Sequence, residues 1–272
     1  TSVKSTLKIT SAMKMVASAK LHKAQQAIEN MRPYEARLAE MLSQLQGSGV
    51  SFAIPGGAEC GRVALVIVAS NSSLCGAFNS NVAREARQHI AALEEQGLAV
   101  DIFTVGRKAS DAVRRMGRTA VQEFDHLVET PSYQEAAALA QQLMDAYAGG
   151  RYAKVYFLYN HFVSMGSQKV VFETYLPAEG NADASVQENE YILEPSAAVL
   201  AQQLVPKVLR LAVYTIILDS VAAEHAARTV AMQTATDNAE DILQNLTLEY
   251  NKGRQQKITN EILDLVGGSL QQ

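Results

Sequence analysis

Apolar positions at the N-terminus recur at alternating three- and four-residue spacing. The register Val3, Leu7, Thr10, Lys14, Ala17, Leu21, Ala24, Ile28, Met31, Glu35, Leu38, Leu42 and Leu45 is apolar at all but three places. Such a repeat is a heptad seam and predicts a left-handed supercoil with a partner helix. A partner is available at the other end of the chain, where Lys207 to Val266 hold no proline and one glycine, Gly253. A helix over that span would reach roughly 90 Å, too long to be buried in one small domain. Ala223, Ala227, Ala231, Ala235 and Ala239 form an i, i+4 ridge of methyl groups that lets a second helix approach closely. Glu224, Arg228, Gln233, Thr234, Asp237, Asn238, Glu240 and Asp241 surround that ridge. A helix polar on so many sides is either a solvated arm or a shaft held inside a polar assembly. The two terminal helices are expected to wind together as a long antiparallel coiled coil, with the middle of the chain hung on one end.

The middle alternates strand and helix signals. Val63 to Ala69 is a continuous apolar run, as in a strand buried on both faces. Then come a small polar loop, a helical pattern from about Asn79 to Gln96, a breaker at Gly97 and a second strand from Leu98 to Val105. Helical segments near Arg107 to Met116 and Tyr133 to Tyr147 precede strands near Ala153 to Tyr159 and Gln168 to Leu176. This order predicts a three-layer, Rossmann-like α/β domain with a mostly parallel sheet. Pro177 to Glu190, rich in Gly, Asn, Asp, Ala and Glu, reads as a mobile surface loop. The expected organisation is an N-terminal coiled-coil helix over 1–55, an α/β domain over 56–190 and a C-terminal coiled-coil helix over 191–272.

Composition narrows the class. A hydrophobic content of 48% in 272 residues suffices for a real core. The densest apolar stretch, Leu209 to Leu218, includes Arg210, Tyr214 and Thr215, so the pattern holds no membrane span. Cys60 and Cys75 are the only cysteines, which suits a reducing compartment and asks for neither a disulfide nor a metal. The net charge is -4, yet residues 1 to 32 carry Lys4, Lys8, Lys14, Lys20, Lys23 and Arg32 against Glu29. A basic helix in an acidic protein calls for an acidic partner. Nucleic acid fits poorly, because no aromatics interleave with the lysines and the other face is the seam.

Catalytic and nucleotide motifs are thin. Cys75 falls between a strand and a helix as a nucleophile would, but Ser73 and Ala77 stand where the elbow glycines belong. His22, His89, His126, His161 and His225 form no recognisable triad order. Neither a Walker-type run nor Gly-x-Gly-x-x-Gly follows any strand, and the Ser-rich loop at 70–73 could bind an anion only weakly. Asp237 and Asp241 form an i, i+4 carboxylate pair without a converging third ligand, which reads as a polar helix face. Gly267-Gly268 is expected to end the long helix.

Three separated motifs carry a resemblance. Ile9 to Lys20 (ITSAMKMVASAK) is similar to the N-terminal helix of the gamma subunit of F-type ATP synthases. Ala226 to Ala239 (AARTVAMQTATDNA), Leu248 to Gln255 (LEYNKGRQ) and Ile258 to Glu261 (ITNE) resemble its C-terminal helix, in the same order. Ser70 to Asn79 (SNSSLCGAFN) resembles its strand-to-helix loop, so the likeness spans essentially the whole chain. Ser72 and Ser73 stand where the family usually has Arg and Gly, and Gly268-Ser269 replaces Gly-Ala. The chain also opens inside the family's N-terminus, so the first turns of that helix are expected to be missing.

The resemblance implies a rotary central-stalk subunit with no active site, cofactor or metal of its own. By motif, Met13, Lys14, Lys20 and Arg228 would face mobile loops of the beta subunits. Arg254, Gln255, Thr259 and Glu261 would form the upper bearing, and Glu194, before Pro195, would lie on the membrane-ring side. The implied partners are the alpha, beta and epsilon subunits and the membrane c-ring. The implied location is peripheral, at the cytoplasmic face of a bacterial inner membrane in preference to the mitochondrial matrix side. No inserted paired-cysteine segment of the chloroplast kind is present, so redox gating is not expected. Two other classes remain open on pattern: a coiled-coil scaffold carrying an α/β recognition domain, and a cysteine-dependent hydrolase.

Overall fold

The computed structural model describes residues 2–46, 56–57, 60–178, 194 and 196–269. Helices α1 (Ser2–Gln46) and α6 (Ala197–Ser269) flank β1 (Arg62–Val68), α2 (Phe78–Glu95), β2 (Ala99–Val105), α3 (Arg107–Arg115), β3 (Gln122–Phe124), α4 (His126–Glu129), α5 (Tyr133–Ala148), β4 (Lys154–Ser164) and β5 (Ser167–Leu176). The short elements β3 and α4 have no counterpart in the sequence pattern, being too brief to show a period. All but Pro177 and Ala178 of the surface loop at 177–190 lie outside the described residues.

Every position of the α1 register is buried or half-buried. Its three polar members are the three that bond across the seam: Thr236 donates to Thr10 (3.0 Å), Lys14 donates to Gln233 Oε1 (2.8 Å) and Thr215 donates to Glu35 Oε1 (2.5 Å). Residue numbers rise along one helix as they fall along the other, so the pair is antiparallel. Polar groups paired at seam positions fix one alignment where an all-apolar seam would tolerate several.

The α6 helix is longer than its proline-free span, with 73 residues and a length of about 110 Å. It passes through Pro206, and α1 likewise passes through Pro33. In each case the residue four earlier, Gln202 or Glu29, is exposed, so water can bond the carbonyl that proline leaves without a donor. The described helix runs through Gly267 and Gly268 to Ser269.

Beyond residue 210, α6 meets three environments. From Leu211 to Thr229 every residue is buried or half-buried. From 230 to 243 the exposure is periodic, as expected for one partner helix. From 244 to 263 every residue is exposed. The antiparallel register explains the free tip, since Ser2, the first described residue of α1, falls opposite residues near 244.

The sheet has strand order β3-β2-β1-β4-β5 and is parallel except for the β4–β5 hairpin. The apolar run of β1 divides by alternation. Ala64, Val66 and Val68 point into a core shared with α5 and α6, while Val63, Leu65 and Ile67 point into a second core with Val82, Ala86 and Ile90 of α2 and Ala109 and Val113 of α3. The expected three layers are therefore present, and α6 itself, through Val213, Ile216, Ile217 and Ala222, builds one of them. The α/β unit packs along α6 from Val205 to Ala226. Among the described residues no helix is long and apolar enough to cross a membrane.

Candidate functional site

The loop after β1 sits at the carboxyl end of the sheet, where β1 has β2 on one side and β4 on the other. In open α/β sheets this switch point is where ligands bind. Here the chain fills it with its own groups. Ser70 O accepts from Lys108 N (2.9 Å) and Asn71 Oδ1 from Arg107 N (2.9 Å), so the N-terminal amides of α3 that an anion would seek are taken. Asn71 Nδ2 donates to Asp125 O (2.8 Å), and Ser70 Oγ donates to Ser72 O (2.7 Å). Gly106 is required where the loops after β1 and β2 meet: at φ 93° a Cβ there would lie 2.1 Å from Ala69 O.

Arg228 of α6 enters this loop. Its guanidinium donates to Ser73 O and to Ser72 Oγ (2.8 Å), and it pairs with Glu224 Oε1 at 2.6 Å, one turn earlier. Arg228 is 8% exposed and Glu224 6%. A guanidinium can be buried at this depth because a carboxylate and two loop oxygens replace its water. Leu74 is held at φ 68°, a left-handed conformation unusual for leucine, with its side chain exposed. Cys75, Phe78 and Ala223 form a small apolar cluster beside Phe162 and Ala227.

A second contact lies across the helix. Asp219 accepts from the backbone N–H of Phe162 (3.1 Å) and pairs with His161 Nδ1 (2.6 Å), both at the β4–β5 hairpin. Between α1, α6 and the Ser72 loop lies a cleft of about 340 Å³ lined by Ala12, Met13, Val16, Ala17, Lys20, Ser72, Glu224, His225 and Arg228. Burial first, then the Lys20 and Arg228 charges, push the His225 imidazole down to about 4, and its Nδ1 is buried without a hydrogen-bond partner.

The expected partner-facing residues separate into groups. Met13 and Lys14 are half-buried, with Lys14 engaged by Gln233, and Lys20 is exposed. Arg228 does not face outward: it and Glu224 are enclosed. The cause is the Ser72–Ser73 loop, whose oxygens give Arg228 an internal destination. Arg254, Gln255, Thr259 and Glu261 are exposed on the free tip, remote from the neck, with Thr259 Oγ1 donating to Gln255 O (2.9 Å). Glu194 is exposed just before α6.

Cysteine chemistry has no support in this geometry. Cys75 is 1% exposed and its hydrogen-bond partners are Ser70, Ser72 and Asn79, with no histidine or carboxylate among them. Burial pushes its thiol up. Asp237 accepts from Gln233 Nε2 (2.6 Å), and among the described residues no three His, Cys, Asp or Glu side chains gather as a metal site. Asp219, Glu224 and Ser72 were not singled out as site residues from sequence. The i, i+4 spacing of Glu224 and Arg228, and one acid inside the apolar run before Val221, were the available signals.

Comparison with known proteins gives consistent matches. A family model described as ATP synthase matches residues 1–270. The ATP synthase gamma chain of Phocaeicola vulgatus is 50% identical over 276 aligned positions, covering 99% of this chain and 96% of that one. The gamma chain of Pelotomaculum thermopropionicum is 41% identical, covering 98% and 94%. Among solved structures, a chain from the central stalk and c-ring of the Tetrahymena thermophila mitochondrial ATP synthase superposes with a TM-score of 0.60 at 26% identity, over 84% of this chain and 99% of that one. A chain from the rotor of the Euglena gracilis mitochondrial enzyme shares the fold, with a TM-score of 0.61 at 18% identity over 94% and 96% of the two chains.

Proposed function

The chain belongs to the gamma-chain family of ATP synthases, and from that premise we propose that it is the non-catalytic rotor that couples rotation of a membrane c-ring to ATP synthesis and hydrolysis in a surrounding alpha/beta hexamer. The observation that carries this reading is the tip of α6. From 244 to 263 no side chain is buried, and Leu248, Tyr250, Ile262 and Leu263 are among the apolar residues left in water. A single helix offers little apolar contact to offset roughly 1 to 2 kcal/mol of backbone entropy per ordered residue, so such a tip calls for an enclosing partner.

The asymmetry of the rod supplies the mechanism. A shaft that presents Met13 and Lys20 on one side and a different surface elsewhere has a different contact energy with each surrounding catalytic subunit. Differential contact energy is what shifts each subunit toward a different conformation. Met13, Lys14 and Lys20 would meet the beta loops; Arg254, Gln255, Thr259 and Glu261 would run in the upper bearing; Glu194 would lie toward the ring. Residues 1–55 and 191–272 then act as the shaft and 56–190 as the unit that docks the epsilon subunit and the c-ring, peripheral to the cytoplasmic face of a bacterial membrane.

The test is co-purification with the alpha and beta subunits of the source organism, followed by a rotation assay with a bead attached through the exposed Cys60. A stable complex that turns the bead in one direction under ATP is expected. ATP hydrolysis by the complex without rotation, or failure of the complex to form, would overturn the reading. Self-association of the chain alone would favour a coiled-coil scaffold.

A further inference from the structure

We infer that the α/β unit grips the shaft through two opposed polar jaws, Arg228 on the β1–α2 loop and Asp219 on the β4–β5 hairpin, and that this clamp carries torque into α6. The inference rests on the rotor reading for its meaning and on the geometry of the neck for its content.

Asp219 and Arg228 are nine residues apart. On an α-helix that separation is about 900° of turn, so the two side chains leave opposite sides of α6, about 13 Å apart along the axis. Each is held by a different loop of the α/β unit: Arg228 by Ser72 and Ser73, Asp219 by His161 and the N–H of Phe162. Both side chains are nearly enclosed, at 10% and 15% exposure. Between them Cys75, Phe78 and Phe162 close on Ala223 and Ala227, where methyl groups let the loops come close. One contact alone would let a helix roll about its axis, whereas opposed contacts on two sides resist rolling in both directions.

The remaining polar bonds point the same way. Gln141 accepts from Arg210, and Tyr175 donates to Leu209 O (3.0 Å), again on α6. Thr10, Lys14 and Glu35 of α1 also bond to α6.

Two measurements test the clamp. In the assembled complex, with the hexamer fixed and a bead on Cys60, the angular variance of the stalled rotor reads the twist stiffness of the joint. Arg228→Gln with Glu224→Gln removes one jaw without stranding a buried charge, and Asp219→Asn weakens the other; together they are expected to raise that variance about twofold or more, while Thr215→Val, on the α1–α6 seam, leaves it unchanged. Arg228→Lys is expected to restore part of the stiffness. In the isolated chain, amide exchange at 72–76 and 162 is expected to quicken about tenfold in the clamp variants, with β1 and β2 unaffected. Wild-type variance in the triple variant, or a larger effect from Thr215→Val, overturns the clamp. If the wild-type complex does not rotate, the rotor reading falls, and the exchange measurement alone decides the clamp: unchanged exchange at 72–76 and 162 overturns it.

Discussion

Arg228 and Glu224 stand one helical turn apart and make a 2.6 Å ion pair with side chains only 10% and 8% exposed. The pair lies at the neck of the molecule, where α6 passes the carboxyl end of the sheet. Breaking a buried pair from one side leaves an uncompensated charge and costs about 3 to 5 kcal/mol, while replacing both partners together can be nearly neutral. Arg228→Ala is therefore expected to lower stability by that amount and the double variant Glu224→Gln, Arg228→Gln by much less. Urea unfolding of the three proteins checks this; equal losses for the single and double variants would show that the pair is not the relevant interaction.

His225 gives the neck a pH dependence. Its folded value of about 4 lies below the usual 6.5, so as pH falls through that window the unfolded chain takes up a proton that the folded chain does not. The stability contributed by neutral His225 is present above pH 6.5 and is lost between 6.5 and 4, at up to about 1 kcal/mol per pH unit. His225→Gln is expected to flatten that slope relative to wild type in unfolding curves recorded at pH 7, 6, 5 and 4.5. Parallel slopes would mean that the imidazole charges freely in the folded protein.

The two cysteines should differ sharply. Cys60 is exposed, whereas Cys75 is enclosed and its thiol is pushed up by burial. A maleimide at neutral pH is expected to modify Cys60 alone in the folded chain, and both after unfolding, as read by peptide mass mapping. Rapid modification of Cys75 in the native chain would contradict a closed neck.

Protection along α6 should follow its three environments. Amides at 211–229 are expected to exchange slowest, those at 230–243 at intermediate rates, and those at 246–263 fast in the isolated chain. In complex with alpha and beta subunits the last group is expected to slow. Equal protection of 246–263 in both states would remove the need for an enclosing partner.

Ala231 belongs to the methyl ridge and is half-buried where the antiparallel register brings α6 alongside Val16 and Ala17. Ala231→Leu inserts a branched side chain there, and overpacking costs about 1 to 3 kcal/mol. A lowered melting temperature is expected, with separation of the helices at that level detectable by paired spin labels. Unaltered stability and spacing would place the close approach elsewhere.

The periodic features of this protein were legible in its residues. The 3-4 register of α1 matched burial at every position because a helix repeats its faces regardless of what lies beyond them. The two-sided burial of β1 followed from an unbroken apolar run, and its flanking helices and strands agree within a residue or two, apart from β4, which runs on to Ser164. The family, too, was legible in the motifs at the two ends of the chain.

Only the tertiary structure decided what the polar residues do. Thr10, Lys14 and Glu35 looked like faults in the seam until Thr236, Gln233 and Thr215 came into register with them. The contact of Arg228 with its own chain was not legible, because nothing local shows that a loop more than 150 residues earlier will bring Ser72 and Ser73 to its guanidinium. Asp219 was hidden in an apolar run for the same reason. Apolar burial depends on a segment's own period, which one chain segment carries by itself, whereas the fate of a charge depends on which distant oxygen or nitrogen replaces its water, and that pairing exists only once the chain has folded.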